Sequence, residues 1–238
     1  MQNELAAFGY NRDGKKGKRQ LVVGLLSDED GYPLSVQVFE GNTQDPQTFR
    51  EQVKKVVERF GGKSVTFVGD RGMIKAKQIE DLSGEEFHYI TAITKAQIET
   101  LLAKNAFQMG LFEENLTEVF YDGIRYVLRK NPQRAKEMAY NRQEKIASLH
   151  KAITKGNDRL IEHPRAKLET VVKNLNKKIQ KLKMSQWATI EAKGRTVALV
   201  IDEEKMRKAS MLDGCYAIKT DLIAREITKE FIHDRYKD

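Results

Sequence analysis

The chain has a single cysteine, Cys215, which excludes an intramolecular disulfide and any cysteine-based zinc cluster. Its four histidines, His88, His150, His163 and His233, lie far apart and show no metal-ligand spacing. No apolar run approaches the ~20 residues that a bilayer span requires. The opening Met1-Gln-Asn-Glu-Leu has no apolar signal core, so the cytoplasm is the default compartment and no membrane partner is expected. Internal repeats and low-complexity tracts are absent. What remains is a soluble, globular composition: 238 residues, 32% charged and 40% hydrophobic, enough for one domain with an insertion or two small ones. Lysine and arginine outnumber the acids 42 to 34, a net charge of +8, which favours a polyanionic partner such as nucleic acid.

The pattern of apolar residues predicts a β-β-α-β-α-β start. Leu21 to Leu26 is nearly all apolar, as in a strand buried on both faces. Asp28-Glu-Asp-Gly31 supplies a hairpin turn, and Leu34, Val36 and Val38 alternate before Phe39 closes the partner strand. Phe49, Val53, Val56, Val57 and Phe60 share a helical face between Thr48 and Phe60, and Gly61-Gly62 ends that helix. A strand at Val65–Val68, a helix at Ile74–Leu82 and a strand at Phe87–Ile93 follow. Beyond Thr94 come a hairpin with an Asp122-Gly123 turn and two long charged segments, Pro132 to Lys155 and Pro164 to Lys183. Leu168, Val171, Val172, Leu175, Ile179 and Leu182 form one stripe at helical spacing, so the two segments predict an antiparallel helical hairpin punctuated at Gly156 and Pro164. Strands are expected again at Trp187–Glu191, Thr196–Ile201 and Gly214–Thr220, and a helix opens between Ile223 and Lys237.

Asp70 is the candidate site residue. It follows the apolar strand Val65–Val68 and Gly69, and the carboxyl end of a strand is where open α/β sheets place their chemistry. That strand is therefore expected to be central, with Asp70 at its edge in reach of solvent. In a basic chain such an acid points to a metal held against nucleic-acid phosphate. A Gly-Asp pair is equally the mark of a turn or helix N-cap. Asp28, Glu29 and Asp30 fall in a hairpin turn and are expected to be solvated, away from Asp70. Lys130, Arg134, Lys136, Arg142, Lys145 and Lys151 on one charged segment, with Lys173, Lys177, Lys178, Lys181 and Lys183 on the other, fit either a grip on DNA backbone or a solvated face. Glu137, Glu144 and Glu169 favour the solvated face.

A series of motifs carries a more specific likeness. Phe8-Gly-Tyr-Asn-Arg-Asp-Gly-Lys, Leu21-Val-Val-Gly-Leu-Leu, Gly31-Tyr-Pro-Leu, Phe39-Glu-Gly-Asn-Thr43, Thr48-Phe and Val68-Gly-Asp-Arg-Gly-Met73 occur in order, and Leu212 to Asp221 and Ile232 to Asp238 follow. Together they resemble bacterial insertion-sequence DDE transposases of the insertion-sequence-four group. The resemblance covers nearly the whole chain and is least specific between Thr94 and Met211.

That resemblance implies an α/β fold, a ribonuclease-H-like mixed sheet core with an inserted α+β region that contains the long helical hairpin. Residues 1–94 would be the first part of the core, 95–211 the inserted region and 212–238 the return to the core. It implies DNA transposition by metal-dependent phosphoryl transfer, with Mg²⁺ as cofactor, transposon-end DNA as partner and room for a homodimer. Asp70 takes the place of the second catalytic aspartate and a metal ligand. Arg71, Lys75 and Tyr236 become DNA neighbours. Trp187 either packs or, as in some relatives, stacks a displaced base.

Two departures from the family pattern stand out. The first catalytic aspartate belongs just before Phe8, and Met1 to Ala7 contain none; the catalytic glutamate belongs beyond the tyrosine that Tyr236 matches, and only two residues follow. The expectation is an internal fragment, inactive as it stands unless Asp202 or Glu203 substitutes. A catalytically silent DNA-binding or self-associating remnant of a mobile element is the alternative, and an unrelated nuclease a third reading.

Overall fold

The computed structural model describes residues 3–10, 17–61, 63–84, 87–225 and 227–237. The chain forms two compact units. One comprises Met1–Gln108, Leu116–Leu128 and Ala217–Asp238, the other Met109–Asn115 and Arg129–Tyr216.

The first unit opens with a β-hairpin of β1 (Leu21–Ser27) and β2 (Pro33–Glu40). Its turn follows from residue chemistry: Gly31 adopts φ +84°, and the Asp28 carboxylate accepts from the backbone N–H groups of Asp30 and Tyr32 at 3.0 and 2.8 Å. The hairpin stands as a separate two-stranded sheet. Helix α1 (Asp45–Glu58), with Pro46 in its first turn, packs on one side of it. The half-buried side is Val22, Gly24, Leu26 and Phe39. Double burial of Leu21–Leu26 is therefore corrected: among the described residues only the α1 side is covered. Val23 lies opposite Val38 and Leu25 opposite Val36, and these four side chains are 44–62% exposed.

A strap crosses the end of this hairpin. Ala7 pairs with Gln20, and the Gly41 N–H donates to the Leu5 carbonyl at 3.0 Å. The backbones approach so closely that a Cβ on Gly41 would lie 1.9 Å from the Gln20 carbonyl oxygen, and one on Gly9 would lie 2.0 Å from the Gly41 carbonyl oxygen. The Gln20 amide donates to the Tyr10 and Gly41 carbonyls at 3.0 and 2.8 Å.

After α1 the chain runs through β3 (Thr66–Gly69), α2 (Ala76–Gly84), β4 (His88–Ala92), α3 (Lys95–Ala103), β5 (Thr117–Tyr121) and β6 (Ile124–Lys130). With β9 (Cys215–Thr220), these strands form a five-stranded mixed sheet in the order β3-β4-β9-β6-β5. β3 is parallel to β4, and β9 is antiparallel to β4. The β3 strand was expected at the sheet centre but is an edge, and Val68 is 44% exposed, because among the described residues no strand pairs with its other side. Its inward residue Phe67 packs with Phe49, Val53, Val56, Leu82, Phe87 and Tyr89. Phe49 and Phe67 meet edge to face with centroids 5.4 Å apart. Truncating a fully buried member such as Leu82 costs about 2–5 kcal/mol. Helix α7 (Lys229–Lys237) packs against β3 and β4 through the buried Ile232 and His233.

The second unit is built on α4 (Pro132–Glu162) and α5 (Leu168–Lys181), with β7 (Ala188–Lys193), β8 (Thr196–Ile201) and α6 (Glu203–Met211). The two long helices run in opposite directions. The Lys178 ammonium donates to the Ser148 carbonyl at 2.6 Å, and a Cβ on Gly156 would lie 2.9 Å from the Val171 methyl. Gly156 therefore does not interrupt the helix; it lies within α4 and lets α5 approach. The core is the Leu149, Ile153 and Leu160 stripe against Val171, Leu175 and Ile179, closed by Met184, Trp187 and Val197. The Asn157 side chain makes paired bonds with the backbone of Val197, accepting at 2.8 Å and donating at 3.0 Å. Arg142 and Asp213 form a largely buried ion pair. The Asn131 N–H donates to the Gly214 carbonyl at 2.8 Å, so the chain leaves and re-enters at one point. Among the described residues no helix is long and apolar enough to cross a membrane.

Candidate metal and DNA site

β3 delivers Asp70. Gly69 precedes it because a Cβ there would lie 2.9 Å from the Ile74 side chain, which is buried beneath the loop. The Asp70 carbonyl then accepts from the Met73 and Ile74 N–H groups at 2.9 and 3.2 Å, which closes a turn. Helix α2 begins only at Ala76, and its approach is held by Gln78, which accepts from the Lys75 N–H at 3.3 Å. Asp70 is therefore not the N-cap of α2. Its side chain is exposed, and among the described residues no hydrogen bond or ion pair engages the carboxylate.

Helix α7 brings Tyr236 to the same place. Its phenol pKa is raised above the ordinary value, first by burial and then by the Asp70 carboxylate, while Arg71 opposes the rise. Residues 166 positions apart in sequence thus share one electrostatic neighbourhood. Lys75 stands exposed ahead of α2, and among the described residues no bond joins it to Asp70, Arg71 or Tyr236. The structure accordingly groups Asp70, Arg71 and Tyr236.

Two neighbours of the site, and one residue that anchors the approach to α7, escaped the sequence reading. The Asp45 carboxylate, in the first turn of α1, lies 3.7 Å from where a Cβ on Gly72 would project, so a second acid flanks the Arg71-Gly72 loop. Its signal was the Gly41 to Pro46 loop immediately ahead of a helix. Glu29 is the second: Arg235 donates to its carbonyl and stands 3.9 Å from its carboxylate, one residue from Tyr236. The hairpin turn, expected away from Asp70, is tied to the last turn of the helix that carries Tyr236. Arg125 is the third, and its buried guanidinium grips the segment that leads into α7.

A divalent-metal set does not assemble from these groups. Among the described residues no three of His, Cys, Asp and Glu gather closely enough to hold an ion. Asp202 serves instead as the cap of α6, accepting from the Lys205 N–H at 3.0 Å, and its pKa is lowered by the Lys205 ammonium. Trp187 is buried in the core of the second unit, so its side chain packs rather than waits for a base.

The architecture is α/β, with a mixed five-stranded sheet and an exposed acid at the tip of its edge strand, faced by a tyrosine from a later helix. Residues 3–236 match the family model described as Transposase DDE domain, and the chain belongs to that family. Transposition and recombination of DNA are the family's work, and DNA is its partner. Neither the curated proteins nor the solved structures gave a match.

Proposed function

We propose that the chain is the catalytic-core portion of an insertion-sequence DDE transposase, of the insertion-sequence-four kind, with a ribonuclease-H-like fold. In this reading residues 1–94 and 212–238 make the core, residues 95–211 are an inserted α+β region with a helical hairpin, and the protein acts on transposon-end DNA in the cytoplasm. The observation that carries the reading is the convergence of Asp70, Arg71 and Tyr236 from two elements remote in sequence. Asp70 is the acid that would ligate Mg²⁺. Arg71 and Lys75 would meet phosphate as cations, and the Tyr236 phenol would donate to a phosphate oxygen.

Asp70 with Asp45 beside its loop is too small a carboxylate set to hold the two ions that in-line attack on phosphorus requires. The described residues supply no third acid beside Asp70 and Asp45, so this chain alone is proposed to be silent in strand cleavage. A labelled transposon-end duplex incubated with Mg²⁺ or Mn²⁺ tests the point. No nicking is expected, and nicking that disappears in Asp70→Ala would overturn the silence. Mn²⁺ binding in the presence of duplex DNA, followed by electron paramagnetic resonance, tests the role of Asp70. Binding should weaken about tenfold or more in Asp70→Ala, which corresponds to about 1.4 kcal/mol. Binding that is unchanged would remove Asp70 from the site.

A further inference from the structure

The positive charge of this protein lies in one unit. The second unit carries 21 lysines and arginines against 12 acids, a net of +9, whereas the first carries 21 against 22, a net of −1. Within the second unit the excess is sharpest from Thr170 to Ile190, which contains five lysines and no acid. Most of that stretch is helix α5, whose apolar face, Val171, Leu175 and Ile179, is buried. Lys178 is partly buried and donates to Ser148. The other face presents Lys173, Lys177 and Lys181, all exposed, at successive i, i+4 positions.

Some other cations of the unit are neutralised by a neighbouring acid. On α6, Lys205 pairs with Asp202 and Lys208 with Glu204, each at 2.8 Å, and on α4 Arg134 pairs with Glu137 at 2.8 Å. Among the described residues none of Lys173, Lys177 and Lys181 has an acidic partner within salt-bridge distance. Lys173 and Lys177 border an open groove of ≈ 540 Å³ between α5 and β7, floored by Leu168, Val172 and Ala192. The one acid on its rim, Glu169, sits in the first turn of α5, where it complements the helix dipole.

We propose that this lysine face of α5 is a docking surface for the phosphate backbone of duplex DNA. The proposal rests on the reading of the chain as a transposase and locates a DNA contact outside the Asp70 site. A rise of 1.5 Å per residue places the three ammonium groups along roughly 12 Å. Duplex DNA presents about seven phosphates over that length, at one charge per ~1.7 Å of axis. Lysine is a point charge without the planar fork that reads base edges, and the face carries no arginine or aromatic side chain. The contact is therefore to backbone, independent of sequence, and driven by counterion release.

The test is a duplex-DNA titration of the full chain at several salt concentrations. Lys173→Gln/Lys177→Gln/Lys181→Gln is compared with a control, Lys54→Gln/Lys63→Gln/Lys77→Gln, whose residues are exposed in the first unit. Circular dichroism melting verifies that both variants fold. Each lost phosphate contact removes about 0.9 from the log–log salt slope, so the α5 variant should lose about two to three and the control none. The loss should be equal on unrelated sequences. An unchanged slope in the α5 variant overturns the proposal and leaves the transposase reading standing. A wild-type chain that binds no duplex DNA at low salt overturns both. Wild-type binding to anionic phosphatidylserine vesicles that exceeds its binding to DNA also overturns the proposal.

Discussion

Arg125 and Ile227 lie 102 residues apart and are joined by a 2.7 Å hydrogen bond from the Arg125 guanidinium to the Ile227 carbonyl. The same guanidinium donates to Glu118 at 2.6 and 3.0 Å, and its side chain is only 1% exposed. A cation is buried between a β-hairpin and the segment that sets the start of α7. The position of Tyr236 beside Asp70 thus depends on a charge remote in sequence from both.

Removing that charge should loosen the helix and the fold together. Deleting the buried guanidinium leaves the Ile227 carbonyl without its donor and a void in its place, at about 2–5 kcal/mol. Arg125→Ala is expected to lower stability by that amount in urea denaturation. Glu118→Gln, which keeps an acceptor at a partly exposed position, should cost less. Equal losses would show that the bond to Ile227 contributes little.

The tyrosine itself reports on the site. Its pKa is raised from 10.0 by burial and by Asp70, with Arg71 opposing. Asp70→Asn should bring it down and Arg71→Gln should push it up, read as the tyrosinate absorbance difference between each protein and its Tyr236→Phe counterpart. The sign for stability follows: the folded chain keeps the proton to higher pH than the unfolded chain. The contribution is present below pH ~10 and is lost as pH rises through the folded value. No shift in the Asp70→Asn titration would separate the two residues.

The strap over the hairpin makes a sharp comparison between glycines. Gly41→Ala would drive a Cβ to 1.9 Å from a backbone oxygen, so at least one strand must move, at about 3 kcal/mol or more. Gly31→Ala meets no atom within 4 Å and bears only the strain of its positive φ, about 1–2 kcal/mol. Chemical denaturation of the two variants should rank them in that order, and the reverse ranking would dismantle the crossing described at Gly9, Gly41 and Gln20.

The outer face of the hairpin predicts self-association, including the homodimer that the resemblance allowed. Val23, Leu25, Val36 and Val38 form two cross-strand apolar pairs in contact with solvent. Light scattering of the purified chain should rise with concentration, and Leu25→Lys with Val36→Glu should suppress the rise without lowering the melting temperature. A chain that stays monomeric throughout would count against this face as a contact.

Much of this was legible in residue types, and the misses have physical causes. The Asp30-Gly31 and Asp122-Gly123 turns form as read, with Asp122 and Gly123 at φ +52° and +72°. The apolar stripe of α5 is its buried face. Period-two alternation in β2 was also real, but alternation marks two faces without saying which is covered. Here α1 covers the side with Gln37 and Phe39, and Val36 and Val38 are left outside. Helix α3 was missed although Thr94 and Gln97 spell a capping box. Helix α6 was missed because it has no fully buried residue and so no apolar stripe. At the site, Asp70 stood out from its strand and glycine, whereas the proximity of Tyr236 came from resemblance alone. Nothing local distinguishes the buried Arg125 from a surface arginine.

The bond between Asn131 and Gly214 has a consequence for how this chain can vary. β6 and β9 are neighbours in the sheet, and the 82 residues between the two bonded positions form an excursion whose ends already touch. Loop-closure entropy grows only slowly with length, and here the closing contact is fixed in the folded state. The excursion can lengthen, shorten or be exchanged for a tight turn without shifting the register of the five-stranded sheet. Its size is therefore free of the constraint that binds the sheet, and a graft or deletion at this junction would alter what the protein carries while leaving the Asp70 loop where it is.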